Sequence, residues 1–133
     1  MPDGRRAADR LAPPQGLCRS VELVEKADAA VFDVRYRGES MRAFALRFDG
    51  RAVAYLNRCV HVQAEMDWQP GQFLDSGRDF ILCSLHGAVY DPTSGQCVGG
   101  PCTGGRLTAV EVEERDGEVF WLPTAELLPP FDD

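Results

Sequence analysis

Cys59-Val60-His61, followed after twenty-one residues by Cys83-Ser84-Leu85-His86-Gly87, is the stretch on which the reading of this chain turns. Each pair sets a soft thiolate beside an imidazole on a short loop, so the two pairs together can offer two sulfur and two nitrogen donors to one metal centre. His61 and His86 are the only histidines in 133 residues, and both lie within three residues of a cysteine. The donor set by itself suits tetrahedral zinc as well as iron and sulfide. The chain has five cysteines, an odd number, and its N-terminal Arg5-Arg6 runs into Ala, Asp, Arg and a proline pair rather than an apolar stretch. A secreted disulfide framework is therefore disfavoured, and a cytoplasmic metal protein is expected.

Outward from this stretch the pattern is that of strands. Phe32, Val34 and Tyr36 alternate with Asp33, Arg35 and Arg37, the two-residue period of a half-buried strand. Phe44, Leu46 and Phe48 repeat it up to Asp49-Gly50, a turn pair that favours positive φ, and residues 51–57 read as the returning strand. Asp116-Gly117 joins a strand over about Leu107 to Glu114 to a strand over Glu118 to Leu122. Between these framing strands, residues 58–106 are dense in Gly, Pro, Cys and His, with a short strand over Phe80 to Leu82 and a turn over Asp91 to Gly95. The expected fold is mostly β: an antiparallel β-sandwich or small barrel with an inserted site-bearing subdomain over about 58–106. Residues 1–16 read as a flexible tail, 17–125 as one domain and 126–133 as a C-terminal tail; one short helix is expected over about Val21 to Ala29.

Composition narrows the function. The charged fraction of 26% and hydrophobic fraction of 44% are those of a globular domain, and the net charge of -7 disfavours nucleic acid as a partner. No apolar run approaches the roughly 20 residues of a membrane helix. With both histidines in the metal pairs, none is left for a Ser-His-Asp set, and no phosphate-cradling glycine loop is present.

The two pairs resemble the signature of the Rieske iron–sulfur family, C-x-H followed by C-x-x-H-G. Gly87 after the second histidine, Tyr90 four residues beyond it, and Gly99-Gly100-Pro101, similar to the family's proline loop, extend the likeness over about residues 20–123. The resemblance implies one [2Fe–2S] cluster, with Cys59 and Cys83 on the buried iron, His61 and His86 on the outer iron, and Tyr90, Gly87, Gly100 and Pro101 around them. Replacing two thiolates by neutral imidazoles removes negative charge from the cluster and raises its potential relative to an all-cysteine cluster. High-potential members carry an extra cysteine in each ligand loop, bridged as a disulfide, and a serine two residues after the second histidine. Here those positions are Ala64, Leu85 and Ala88. Without these features the expected potential lies toward the low end of the roughly -150 to +300 mV Rieske range. The segment between the pairs is longer than in ferredoxin-type members, and the extra length is expected in residues 67–78, where Trp68 and Phe73 pack the loop, shield the cluster or meet a partner. Cys97 and Cys102 are expected as buried structural thiols, with a bridge between them as the alternative, and Cys18 as a small apolar filler before the first strand.

The resemblance implies a one-electron carrier similar to stand-alone Rieske ferredoxins, with a flavin-dependent reductase and an oxygenase or other redox protein as partners. An oxygenase itself needs a further mononuclear iron site of two histidines and a carboxylate, and this chain has no spare histidine. The alternatives are a small accessory subunit of a nitrite-reductase-like complex, a redox sensor and a structural zinc module.

Overall fold

The computed structural model describes residues 13–58, 65–67, 71–83, 87–102 and 104–130. Among them ten strands form: β1 (Gln15–Arg19), β2 (Ala30–Tyr36), β3 (Glu39–Phe48), β4 (Arg51–Leu56), β5 (Ile81–Leu82), β6 (Val89–Tyr90), β7 (Cys97–Gly99), β8 (Val112–Arg115), β9 (Glu118–Trp121) and β10 (Leu127–Leu128). They pair antiparallel in three sheets ordered β10-β2-β3-β4, β1-β9-β8 and β5-β6-β7. Backbone bonds from Leu56 N–H to Thr108 O (2.9 Å) and from Val110 N–H to Ala54 O (2.9 Å) tie β4 to the segment that leads into β8. This is the mostly-β, antiparallel architecture that the alternating pattern indicates. No helix among the described residues is long and apolar enough to cross a membrane.

The framing hairpins are decided locally. Asp49-Gly50 turns with φ of 54° and 77°, and Asp116-Gly117 with 54° and 80°, the doubly positive geometry that fits a two-residue turn to twisted strands. Arg37-Gly38 makes a third turn of this kind, at 50° and 83°, without the Asp or Asn that marks such a turn in sequence.

β3 departs from the half-buried reading. Ala43, Phe44, Ala45 and Leu46 are all buried, because apolar groups cover both faces of the strand. Ala43 and Ala45, with Ala54 and Leu56 of β4, line a core completed by Val34, Val110, Val119 and Trp121. Phe44 and Leu46, with Tyr55, face a second core made with Met66, Phe73, Ile81, Cys83 and Tyr90 of the inserted region. β3 and β4 are thus a wall shared by the framing sheets and the subdomain that bears the metal motif.

The N-terminal expectations need correction. Gln15 and Gly16, expected in the tail, stand in β1, and so does Cys18; residues 1–12 lie outside the described residues. The expected helix over Val21 to Ala29 is reduced to one 3-10 turn at Ser20–Glu22. Arg47 takes over the carbonyls that a helix would use: its guanidinium donates to Leu23 O at 2.6 Å and Ser20 O at 3.2 Å while gripping Glu114 at 2.6 and 3.0 Å. Glu25 instead caps the Asp49-Gly50 turn, accepting both its N–H groups at 2.8 and 2.9 Å.

Candidate metal centre

Of the four expected ligands, Cys83 lies among the described residues; Cys59, His61 and His86 lie outside them, as do Ala64, Trp68 and Leu85. Cys83 follows β5 directly and is fully buried, outside any disulfide. Its N–H donates to Ala88 O at 2.8 Å, and its own carbonyl accepts from Gly87 N–H at 2.9 Å. This reciprocal pair brings Cys83 against Gly87 and Ala88, with Gly87 at φ 75°. A buried thiolate is unfavourable unless positive charge compensates it, so a thiol held here on a closed backbone suits a ligand to iron.

The sheet β5-β6-β7 ties the second ligand loop to the Gly99-Gly100-Pro101 turn. Ile81 and Leu82 pair with Tyr90 and Val89, and these pair in turn with Cys97 and Gly99. The turn presses against the ligand loop at Gly100, where an added Cβ would stand 2.5 Å from Gly87 O and 2.9 Å from Ala88 Cα. The structure therefore brings together Gly87 and Gly100, the two glycines that sequence reading placed around the metal. Pro101 is exposed beside them in a 3-10 turn, and Tyr90 is fully buried below, in the core that holds Cys83.

Tyr55 braces this subdomain from β4. Its hydroxyl donates to Pro92 O at 2.7 Å, inside the Asp91–Gly95 turn, and burial pushes its pKa up to about 12. Asp91 holds the turn through the amide and hydroxyl of Thr93, which draw its carboxyl below the usual range. Because the phenol ionises near 10 in an unfolded chain, its contribution to stability is complete below that pH and is lost as pH rises toward 12. Tyr55→Phe should lower stability by about 1 kcal/mol at neutral pH and flatten this alkaline loss, as denaturant titrations between pH 8 and about 12 would record.

Two further expectations resolve differently. Phe73 is fully buried and stacks on Phe44 with ring centroids 3.8 Å apart, so it packs the longer inter-pair segment and is not at a partner-facing surface. Residues beyond it turn back as a hairpin: Leu82 N–H donates to Phe73 O at 2.7 Å and Asp75 N–H to Phe80 O at 2.9 Å. Cys97 is not a thiol but is disulfide-bonded, a state that spacing from Cys102 permits but does not select.

Sequence reading missed the hub beside the first ligand pair. Asn57, two positions before Cys59, is buried, and its side chain joins Met66 and Asp67, while Asp67 in turn accepts from Gly71. The signal available was an asparagine ending the apolar run Ala52–Leu56, with an aspartate ten residues on.

Residues 14–127 match the Rieske [2Fe-2S] domain. The chain belongs to this family. Its Rieske centre is accordingly a [2Fe–2S] cluster, and Cys83 on its buried, closed loop fits the donor set such a cluster needs. No curated protein sequence matches the chain. Among solved structures, the Rieske fold is similar to the ferredoxin of carbazole 1,9a-dioxygenase from Nocardioides aromaticivorans IC177, with a TM-score of 0.67 and 22% identity over 85% of this chain and 100% of that one. It is also similar to a chain in the complex of reduced oxygenase and oxidized ferredoxin in carbazole 1,9a-dioxygenase, with a TM-score of 0.63 and 19% identity over 90% and 97% of the two chains. A 2-oxoquinoline 8-monooxygenase component matches with a TM-score of 0.62 and 22% identity over 90% of this chain and 27% of its own. At these identities the likeness is one of fold.

Proposed function

We propose that the protein is a one-electron carrier whose cluster is held by Cys59, His61, Cys83 and His86, taking electrons from a flavin-dependent reductase and giving them to an oxygenase or another redox enzyme. The observation that carries this reading is the extent of the structural match: the chain spans the whole of a dioxygenase ferredoxin but about a quarter of a monooxygenase component. The ligand chemistry agrees, because two neutral imidazoles in place of thiolates would remove negative charge from the cluster and ease the uptake of an electron. The two histidines of the chain are both used in this assignment, so its residues supply no second iron site of the oxygenase kind. The chain carries electrons and performs no substrate chemistry of its own.

Purified with its cofactor, the protein should be red-brown, give a rhombic electron paramagnetic resonance signal after reduction, and show a potential toward the low end of the roughly -150 to +300 mV range. Stopped-flow mixing should show reduction by a flavin reductase and reoxidation by an oxygenase within the turnover time of that oxygenase. A colourless zinc-containing protein, or a holoprotein that no reductase and oxygenase pair can cycle, would overturn the assignment.

A further inference from the structure

We propose that Asn57 and Asp67 are positioning residues for the first ligand pair, their amide–carboxylate contact fixing the two ends of the segment that carries Cys59 and His61. The inference rests on the ligand assignment above. Asn57 is the one buried polar residue among those described, at 5% exposure. Burying an amide is unfavourable unless its hydrogen-bonding groups find partners. Its Oδ1 accepts from Met66 N–H at 2.8 Å, and its Nδ2 donates to Asp67 Oδ1 at 2.7 Å. The other carboxylate oxygen of Asp67 accepts from Gly71 N–H at 2.9 Å. One side chain thus ties residue 57 to residues 66 and 67, so the chain between them leaves and returns at one place.

That place is anchored on the sheet and on the core. Asn57 N–H donates to Arg42 O of β3 at 2.9 Å, and Gly71 O accepts from Ala29 N–H at 2.8 Å. Met66 is fully buried in the same core as Cys83, so the hub is anchored to the core that holds Cys83. The ion pairs nearby, Arg42–Glu65 at 3.6 Å and Arg58–Glu39 at 3.7 Å, involve half-exposed groups and hold little by comparison.

The contact has a polarity that a paired exchange can test. In Asn57→Asp two carboxylate oxygens face each other where Nδ2 met Oδ1. In Asp67→Asn a single amide must meet two donors, Asn57 Nδ2 and Gly71 N–H, and can accept from only one of them. With both substitutions together, the aspartate at 57 accepts from Met66 N–H and from the new amide at 67, whose oxygen accepts from Gly71, so all three bonds return.

The experiment follows iron release from the holoprotein to a ferrous chelator under reducing conditions, together with the paramagnetic resonance spectrum. Each single variant should release iron at least about 10-fold faster than the native protein and show shifted g-values, and the double variant should return to within about threefold with a native spectrum. Arg47→Met, which weakens a remote brace, should lower thermal stability while leaving release and spectrum unchanged. Single variants that hold the cluster as the native protein does, or a double variant that releases iron as fast as either single one, overturn the proposal. If the single variants do not accumulate, a folded, cluster-bearing double variant still supports it and an unfolded double variant overturns it. Cys59→Ser separates the two layers: retention of the full cluster in that variant removes the ligand assignment and this proposal with it, whereas its loss beside indifferent Asn57 and Asp67 variants removes this proposal alone.

Discussion

Replacing Cys83 by serine is expected to strip the protein of its visible colour and its paramagnetic signal while leaving the fold largely in place. The fold is tolerant because the position is set by backbone bonds, the Cys83 N–H to Ala88 O and Gly87 N–H to Cys83 O, neither of which involves the sulfur. Serine is close in size, and burying its hydroxyl in an apolar core costs about 1–3 kcal/mol. The metal is less tolerant. An alcohol stays protonated at neutral pH and offers no soft anionic donor, so cluster occupancy should fall more than the roughly 10–100-fold seen when only an outer-shell partner is lost. Cys18→Ser is the comparison: Cys18 is a half-buried free thiol in β1, and burial pushes its pKa up with help from Glu22. That variant should keep the full iron content. Iron analysis and visible spectra of the two proteins decide the matter, and a Cys83→Ser protein that purifies red-brown with a native spectrum would remove Cys83 from the ligand set.

Gly100→Ala should produce the largest loss of stability among single-methyl additions in the subdomain. Two effects add. The residue sits at φ 80°, where a side chain meets its own backbone at a cost of about 1–2 kcal/mol. The new Cβ would also stand 2.5 Å from Gly87 O and 2.9 Å from Ala88 Cα, both backbone atoms of a closed turn that cannot swing aside as a flexible side chain could. Such overpacking adds about 1–3 kcal/mol. Gly38→Ala isolates the first effect, since Gly38 has φ 83° but nothing within 4 Å of an added Cβ. In denaturant titrations Gly100→Ala should therefore be worse than Gly38→Ala by about 1–3 kcal/mol, and it alone should speed cluster loss, because the displaced turn abuts the residue after His86. Equal losses in the two variants would mean that the Gly-Gly-Pro turn does not press on the ligand loop.

The spacing of the two Cys/His pairs was readable because metal ligation restricts residue type, and the glycine after His86 and the Gly99-Gly100-Pro101 run were readable through their resemblance to the Rieske family. The Asp-Gly hairpins were readable for a related reason: doubly positive φ excludes most side chains, so the turn leaves its mark on the two residues that make it. What was not readable depends on residues far apart in the chain. The stretch over 21–29 is held instead by Arg47, which donates to Leu23 O and grips Glu114, 67 residues beyond it. That Phe73 packs the loop, one of the readings open to it in the sequence, depends on the ring of Phe44 stacked against it from β3. The disulfide of Cys97 likewise follows from proximity and not from residue type.

Two Cys/His pairs framed by antiparallel strands could be read from residue type alone, because metal ligands and tight turns constrain their own residues. The tertiary structure decided how that chemistry is held. β3 and β4 are buried on both faces, small alanines toward one core and aromatic rings toward the other, and Asn57 is carried inward to meet Asp67. Burial and hydrogen-bond partners belong to pairs of distant segments, and only folding brings those segments together.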